Sequence, residues 1–280
     1  MLKVITDSTC DLLPDQVEAH HLTVVPLYVN FDGKLQKDRI EINTPDIFTG
    51  VKAGKKIPST SQPSPEDFKV VYENALLMAD HVLSIHISSK MSGTAQSAQL
   101  AAKEFEGRVT VFDSETVSVG LGMMAMRASD MAWMGGRLED ILAVLEKVRQ
   151  KQNIMFTVDT LDYLRMNGRI GGAQAMLGSL LNIKPILAVK NGRVEAAGRV
   201  RGRPQALKEL QTHVSKFVQT HGPCRVCMID TPGAEEEARK MAESLKATGV
   251  EVIGINTLGA VVATHAGPGT IGYGIEPISL

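Results

Sequence analysis

Short apolar runs rich in β-branched residues alternate along the first half of the chain with stretches whose apolar positions recur every three or four residues. Residues 3–7 (KVITD) read as a strand ending in a polar turn. Residues 22–30 (LTVVPLYVN) read as a second, with Pro26 arguing for an edge or a bend, because proline cannot donate to a ladder. Residues 81–88 (HVLSIHIS) and 109–113 (VTVFD) give two more. Between them, Phe68, Val71, Ala75 and Met78 recur at helical spacing within 66–80. Residues 94–105 are rich in Ala and Gln, good helix formers. Leu138, Ile141, Leu142, Leu145 and Val148 form an amphipathic stripe over 138–149. This alternation predicts a mostly parallel sheet with covering helices.

Beyond residue 153 the rhythm changes. A strand at 154–159 precedes a helical region, and Asn191-Gly192 sits between two strand-like runs in 185–200, a strong hairpin signal. A helix over 204–219, the strand RVCMID, a helix over 234–248, the strand VEVIGINTL and a Gly-rich tail follow. The expected fold is α/β: an N-terminal domain over 1–153 and a C-terminal α+β domain over 154–280.

Composition narrows the function. With 44% hydrophobic residues the chain can bury a sizeable core. Its 30 Lys+Arg against 31 Asp+Glu supply no basic field for nucleic acid, and 4% aromatics supply no stacking platform. The start, MLKVITDSTCDL, lacks the long apolar stretch of a secretory signal, and no apolar run reaches the length of a membrane span, so a cytoplasmic, soluble protein is expected. Cys224 and Cys227 form a C-x-x-C without the further ligands a zinc site needs; on the strand they begin, Cys227 reads as a small core residue and Cys224 as incidental.

Candidate chemistry gathers in four loops that follow strands, where ligands of open α/β sheets bind. ITDST (5–9) brings Asp7, Ser8 and Thr9 together, PSTSQPSP (58–65) carries Ser59, Thr60, Ser61 and Ser64, and residues 84–102 carry Ser88, Ser89, Ser92, Gly93, Thr94 and Ser97. Helix capping accounts for one hydroxyl in each loop, such as Ser64, but not for all of them. The fourth loop, 262–274, contains Gly267-x-Gly269-x-x-Gly272, which is no dinucleotide fingerprint: no helix and no distant acid follow it. Its glycines instead permit close backbone approach, with His265 aimed inward. No Walker motif, H-E-x-x-H or G-x-S-x-G elbow occurs. A serine hydrolase or esterase built from Ser92, His265 and Asp7 or Asp113 remains the enzymatic alternative, since triads are defined by geometry.

In order, ITDSTCDL, STSQPSP, ISSKMSGTAQSA, FDSETVSVGLG (112–122), TLDYLRMNGRIGG (160–172), LLNIKPIL (180–187) and HAGPGTIG (265–272) make the chain resemble the DegV family of fatty-acid-binding proteins from end to end. One departure is Asn167 where the family's usual residue is Gly. The resemblance implies a long-chain fatty acid held between two domains, its carboxylate on Thr60, Ser92 and His265, with Ser59, Ser61, Gly93, Thr94 and Gly267 in support. It implies a lipid-binding protein, not an enzyme by itself, with no cofactor and no metal. A separate fatty acid kinase would phosphorylate the bound carboxyl group for phospholipid synthesis. The apolar stretch 173–186 offers Met176, Leu180, Ile183 and Ile186 as acyl-chain lining, and also fits a buried helix. Arg199, Arg201 and Arg203 read either as a solvated face or as a docking surface for the partner.

Overall fold

A computed structural model describes residues 1–176 and 182–279. β1 (Leu2–Asp7) buries Val4 and Ile5 on opposite faces, as a strand covered on both sides requires. After α1 (Pro14–Ala19), β2 (Thr23–Val25) lies parallel to β1 at the sheet edge. The run expected to be one strand over 22–30 is two. Pro26 ends β2, and β3 (Tyr28–Phe31) enters a separate three-stranded antiparallel sheet with β4 (Lys34–Lys37) and β5 (Ser59–Ser61). Asp32-Gly33 turns this hairpin with φ of 54° and 76°, the two left-handed residues of a type I′ turn. The chain reaches β5 through α2 (Thr44–Lys52), so part of the segment expected to be a hydroxyl-rich loop is strand.

α3 (Pro65–Leu76) starts where Ser64 Oγ accepts the Asp67 N–H at 3.1 Å, and stops short of Met78, which is exposed. β6 (His81–His86), α4 (Thr94–Ala102) and β7 (Val109–Asp113) complete a parallel sheet of order β2-β1-β6-β7. α5 (Val119–Trp133) had no counterpart in the sequence pattern. Val119 to Met126 are buried all round, because this helix packs against β1 and β6 and also against strands of the second sheet. Gly122 permits the approach: a Cβ there would lie 2.7 Å from the Cys10 carbonyl. α6 (Leu138–Lys151) follows, with Ile141, Leu145 and Val148 buried.

The second sheet contains β8 (Asn153–Thr157), β9 (Ile183–Lys190), β10 (Arg193–Arg201), β11 (Cys224–Asp230), β12 (Glu251–Thr257) and β13 (Ile271–Pro277), in the order β10-β9-β8-β13-β11-β12. α7 (Asp162–Met166), α8 (Arg203–His221), α9 (Glu235–Lys246) and α10 (Ala260–Ala266) occupy the connections. The β9–β10 hairpin turns at Asn191-Gly192 with φ of 49° and 75°. The Gly-rich tail is not the open loop expected: after α10 it becomes β13, a buried interior strand antiparallel to both β8 and β11. Its glycines hid it by removing the side chains that give a strand its alternation. A Cβ at Gly272 would lie 2.3 Å from the Met155 carbonyl.

One apolar core runs from Val4 and Leu83 through α5 to Phe156 and Cys227, joining the two sheets. A second lies on the other face of the larger sheet, where Met155 and Ile186 meet Leu210 of α8 and Met241 of α9. Cys224 and Cys227, three apart on β11, fall in different cores, as the two-residue period of a strand dictates.

Candidate functional site

α10 ends at Gly267, whose φ of 81° closes the helix with its N–H on the Ala263 carbonyl at 2.8 Å. This places His265 in the last turn, facing Thr60 of β5. His265 Nε2 and Thr60 Oγ1 share a hydrogen bond of 2.8 Å. His265 Nδ1 is closed off from solvent and has no protein partner among the described residues. Burial, and secondarily the positive charge of Arg169, drive the imidazole's pKa down to about 3, so it is neutral near pH 7.

The loop after β6 brings Ser92 to the same cavity. Ser92 N–H donates to the Ser88 carbonyl at 3.1 Å, and Ser92 Oγ lies 2.8 Å from Thr94 Oγ1 and accepts the Thr94 N–H at 3.3 Å. Gln62 joins this loop to that of Thr60. Its Nε2 donates to Ser97 Oγ at 3.1 Å, and its amide packs so closely on Gly93 that a Cβ there would lie 2.2 Å from Oε1. Ser61 is at the rim; Ser59 is exposed and outside the lining, and Ser64 serves α3 as its cap.

Gln62 and Arg169, which the sequence does not single out, also line the cavity. Arg169 Nε donates to the Met91 carbonyl at 3.1 Å and Nη1 to the Asn167 carbonyl at 2.7 Å, which holds a cation beside Ser92. The one signal for it in the chain is its place between Gly168 and Gly171, both left-handed, with φ of 69° and 52°. Asn167 itself has φ −92°, so the departure from the family pattern does not test a left-handed backbone.

Behind these polar groups lies a cavity of about 410 Å³, within the range of small-molecule sites. Its wall draws on both sheets: Ile87 and Val117 follow β6 and β7, while Ile154, Phe156, Val189 and Ile229 come from β8, β9 and β11. Leu258 and the α10 residues Val261, Val262 and Ala266 close another side. Of the acyl lining expected from 173–186, Met176, Ile183 and Ile186 are not part of this wall. Ile183 and Ile186 belong to β9; Ile186 is in the core under α8, because strand parity points it to the other face of the sheet. Met176 packs on the central core outside the lining, and Leu180 lies outside the described residues.

The residues of the esterase alternative are not joined in one relay. Asp7 Oδ2 lies 2.9 Å from His86 Nδ1, and His86 Nε2 lies 2.6 Å from Ser84 Oγ, which accepts the Tyr72 hydroxyl at 2.9 Å. This is the bonding order of a catalytic triad, but Asp7, His86 and Ser84 are fully buried and no substrate reaches them. Asp113 accepts the backbone N–H groups of Ser89 and Glu115. Among the described residues no His, Cys, Asp and Glu side chains converge as a metal site, and no helix is long and apolar enough to cross a membrane. Of the basic trio, Arg199 and Arg201 are exposed on β10, whereas Arg203 is engaged by Glu237, Asp159 and the Gly269 carbonyl.

Chains of known structure share this architecture. A fatty-acid-binding DegV family protein from Thermus thermophilus is 46% identical, with a TM-score of 0.94 over 99% of both chains. A stearic acid-binding protein from Eubacterium ventriosum is 27% identical, with a TM-score of 0.91 over 99% of this chain and 98% of the other. A DegV domain-containing protein of Deinococcus radiodurans is 49% identical over 278 residues, 99% of each chain. The profile described as "Uncharacterised protein, DegV family" matches residues 1–277, and with that span and those identities the chain belongs to the DegV family.

Proposed function

We propose that this protein binds a long-chain fatty acid in the cavity behind Thr60, Ser92 and His265, with the carboxylate on the Thr60 and Ser92 hydroxyls and His265 behind them. The observation that carries the reading is a deep apolar cavity that reaches uncharged donors. A carboxylate is costly to bury without partners. A neutral His265 whose Nε2–H donates to Thr60 frees the Thr60 hydroxyl to donate to the ligand, and Arg169 adds a positive charge at the rim. The alkyl chain supplies the affinity. At about 0.8 kcal/mol per methylene, a chain of about fourteen contributes on the order of 10 kcal/mol gross, offset by the costs of association and ordering. The fatty-acid-binding relatives support the same reading.

In this proposal the protein is a cytoplasmic carrier, and a separate fatty acid kinase phosphorylates the presented carboxyl group for phospholipid synthesis. The exposed Arg199 and Arg201 offer that partner a basic docking face. Mass spectrometry of an organic extract of the purified protein tests the central claim. A stoichiometric long-chain acid is expected; protein that is empty and also ignores added palmitate would refute it.

A further inference from the structure

The three-stranded sheet holds α10 at both ends. Thr60 of β5 meets His265 in the last turn, and Asp38, the residue after β4, meets the first. Asp38 Oδ1 accepts the Ala260 N–H at 2.9 Å, and its Oδ2 accepts the Ser8 hydroxyl at 2.7 Å. Asp11 Oδ1 accepts the adjacent Gly259 N–H at 2.8 Å, and Arg39 donates to Asp11 at 3.2 Å and to the Thr257 carbonyl at 2.8 Å. Asp38 and Asp11 are both buried, at 1% and 0% exposure, so these contacts replace water. Burial raises the Asp38 carboxyl to about 6, with the Asp11 charge also raising it and Ser8 and Arg39 pulling it down. An acid kept in an environment this unfavourable to its charge suggests a task other than stability.

We propose that Asp38 is a positioning residue for His265: by fixing the first turn of α10 it holds the imidazole against Thr60. The proposal rests on the fatty-acid reading above for its purpose, though not for its geometry. From Ala260 to His265 a helix rises about 7.5 Å at 1.5 Å per residue, roughly one and a half turns that carry a shift at one end to the other. The ring has no second bond to compensate, since Nδ1 is unpartnered among the described residues. Loss of the Asp38 acceptor leaves the Ala260 N–H unpaired and lets the helix slide or tilt.

The test is ¹⁵N-histidine NMR of the full chain, with the His265 signals assigned by comparison with His265→Gln, alongside palmitate titration. Asp38→Ala is expected to move the His265 nitrogen shifts, raise the imidazole pKa towards its ordinary value and weaken palmitate binding about tenfold. Asp38→Asn, which keeps an acceptor for Ala260, is expected to restore the wild-type signals and come within about threefold in affinity. Ser8→Ala, a gentler change, is expected to move the signals the same way by less, and keeps the test usable if Asp38→Ala does not fold. Variants that lose thermal stability while the His265 signals stay in place would overturn the proposal. Wild-type protein that ignores palmitate would refute the lipid reading, and the imidazole signals would still decide the role of Asp38.

Discussion

The Nδ2 amide of Asn167 donates to the Thr264 carbonyl at 3.1 Å, so the turn that carries Arg169 is fastened to the helix that carries His265. The same side chain reaches the Tyr163 carbonyl at 3.4 Å, and the Asn167 carbonyl accepts from Arg169 Nη1 at 2.7 Å. Asn167 thus connects the cation to the imidazole side of the site. Where the family's usual residue is glycine, no side chain exists to make this tie. Asn167→Gly is expected to lower stability by about 1–2 kcal/mol, from one lost hydrogen bond and a freer unfolded backbone. Urea unfolding with an unchanged slope reads that loss. An unchanged midpoint would show that the tie contributes nothing.

How much of this was readable in the chain depended on whether the signal was local. β1, β6, β7 and the Asn191-Gly192 hairpin were legible, because β-branched runs and a left-handed turn pair carry their own information. α5 was not, since a helix buried on every side has no polar face to set a period. β13 was masked by Gly272 and Gly274. The hydroxyl-rich loops and the Gly-rich segment were legible as candidate chemistry, and the resemblance drew Thr60, Ser92 and His265 from them; these three line one cavity. Gln62 and Arg169 take their places from contacts 35 and 78 residues away, which no local pattern records. Ile186 falls where the apolar stretch 173–186 overlaps the strand-like run 185–200, and only the strand register places it on the far face.

Acid should unfold this protein partly through His265. The imidazole takes its proton near 6.5 in the unfolded chain and near 3 in the folded one. Between those values the unfolded state binds more protons, so this contribution to stability is whole above pH 6.5 and shrinks as pH falls to about 3. Asp38 acts in the opposite sense. Its carboxyl is raised from 3.8 to about 6, so the folded state binds more protons across that window and acid favours folding there. In the wild type Asp38 offsets part of the His265 contribution, which is why a variant is needed. Between pH 7 and pH 5, wild-type protein should lose about 2 kcal/mol more than His265→Gln, measured by denaturant unfolding at each pH. Equal losses would place a protonated imidazole in the native state. Palmitate binding should raise the imidazole pKa in the folded protein, because a carboxylate beside it favours the charged form.

Val262 separates the role of the cavity from that of its polar end. It lines the cavity from α10, one turn before His265, and has no part in the Thr60 bond. Val262→Phe would place a ring in the space assigned to the alkyl chain. Overpacking of this kind costs about 1–3 kcal/mol when the wall must move, but a side chain facing an open cavity meets less resistance. The expectation is a folded protein with palmitate affinity reduced by about tenfold or more, since two lost methylenes alone are worth about 1.6 kcal/mol. Octanoate, which needs less room and the same carboxylate contacts, should bind within about threefold of wild type. Isothermal titration with both acids distinguishes the cases. Equal loss for the two would mean that the ring had disturbed His265, whereas undiminished palmitate binding would put the alkyl chain somewhere else.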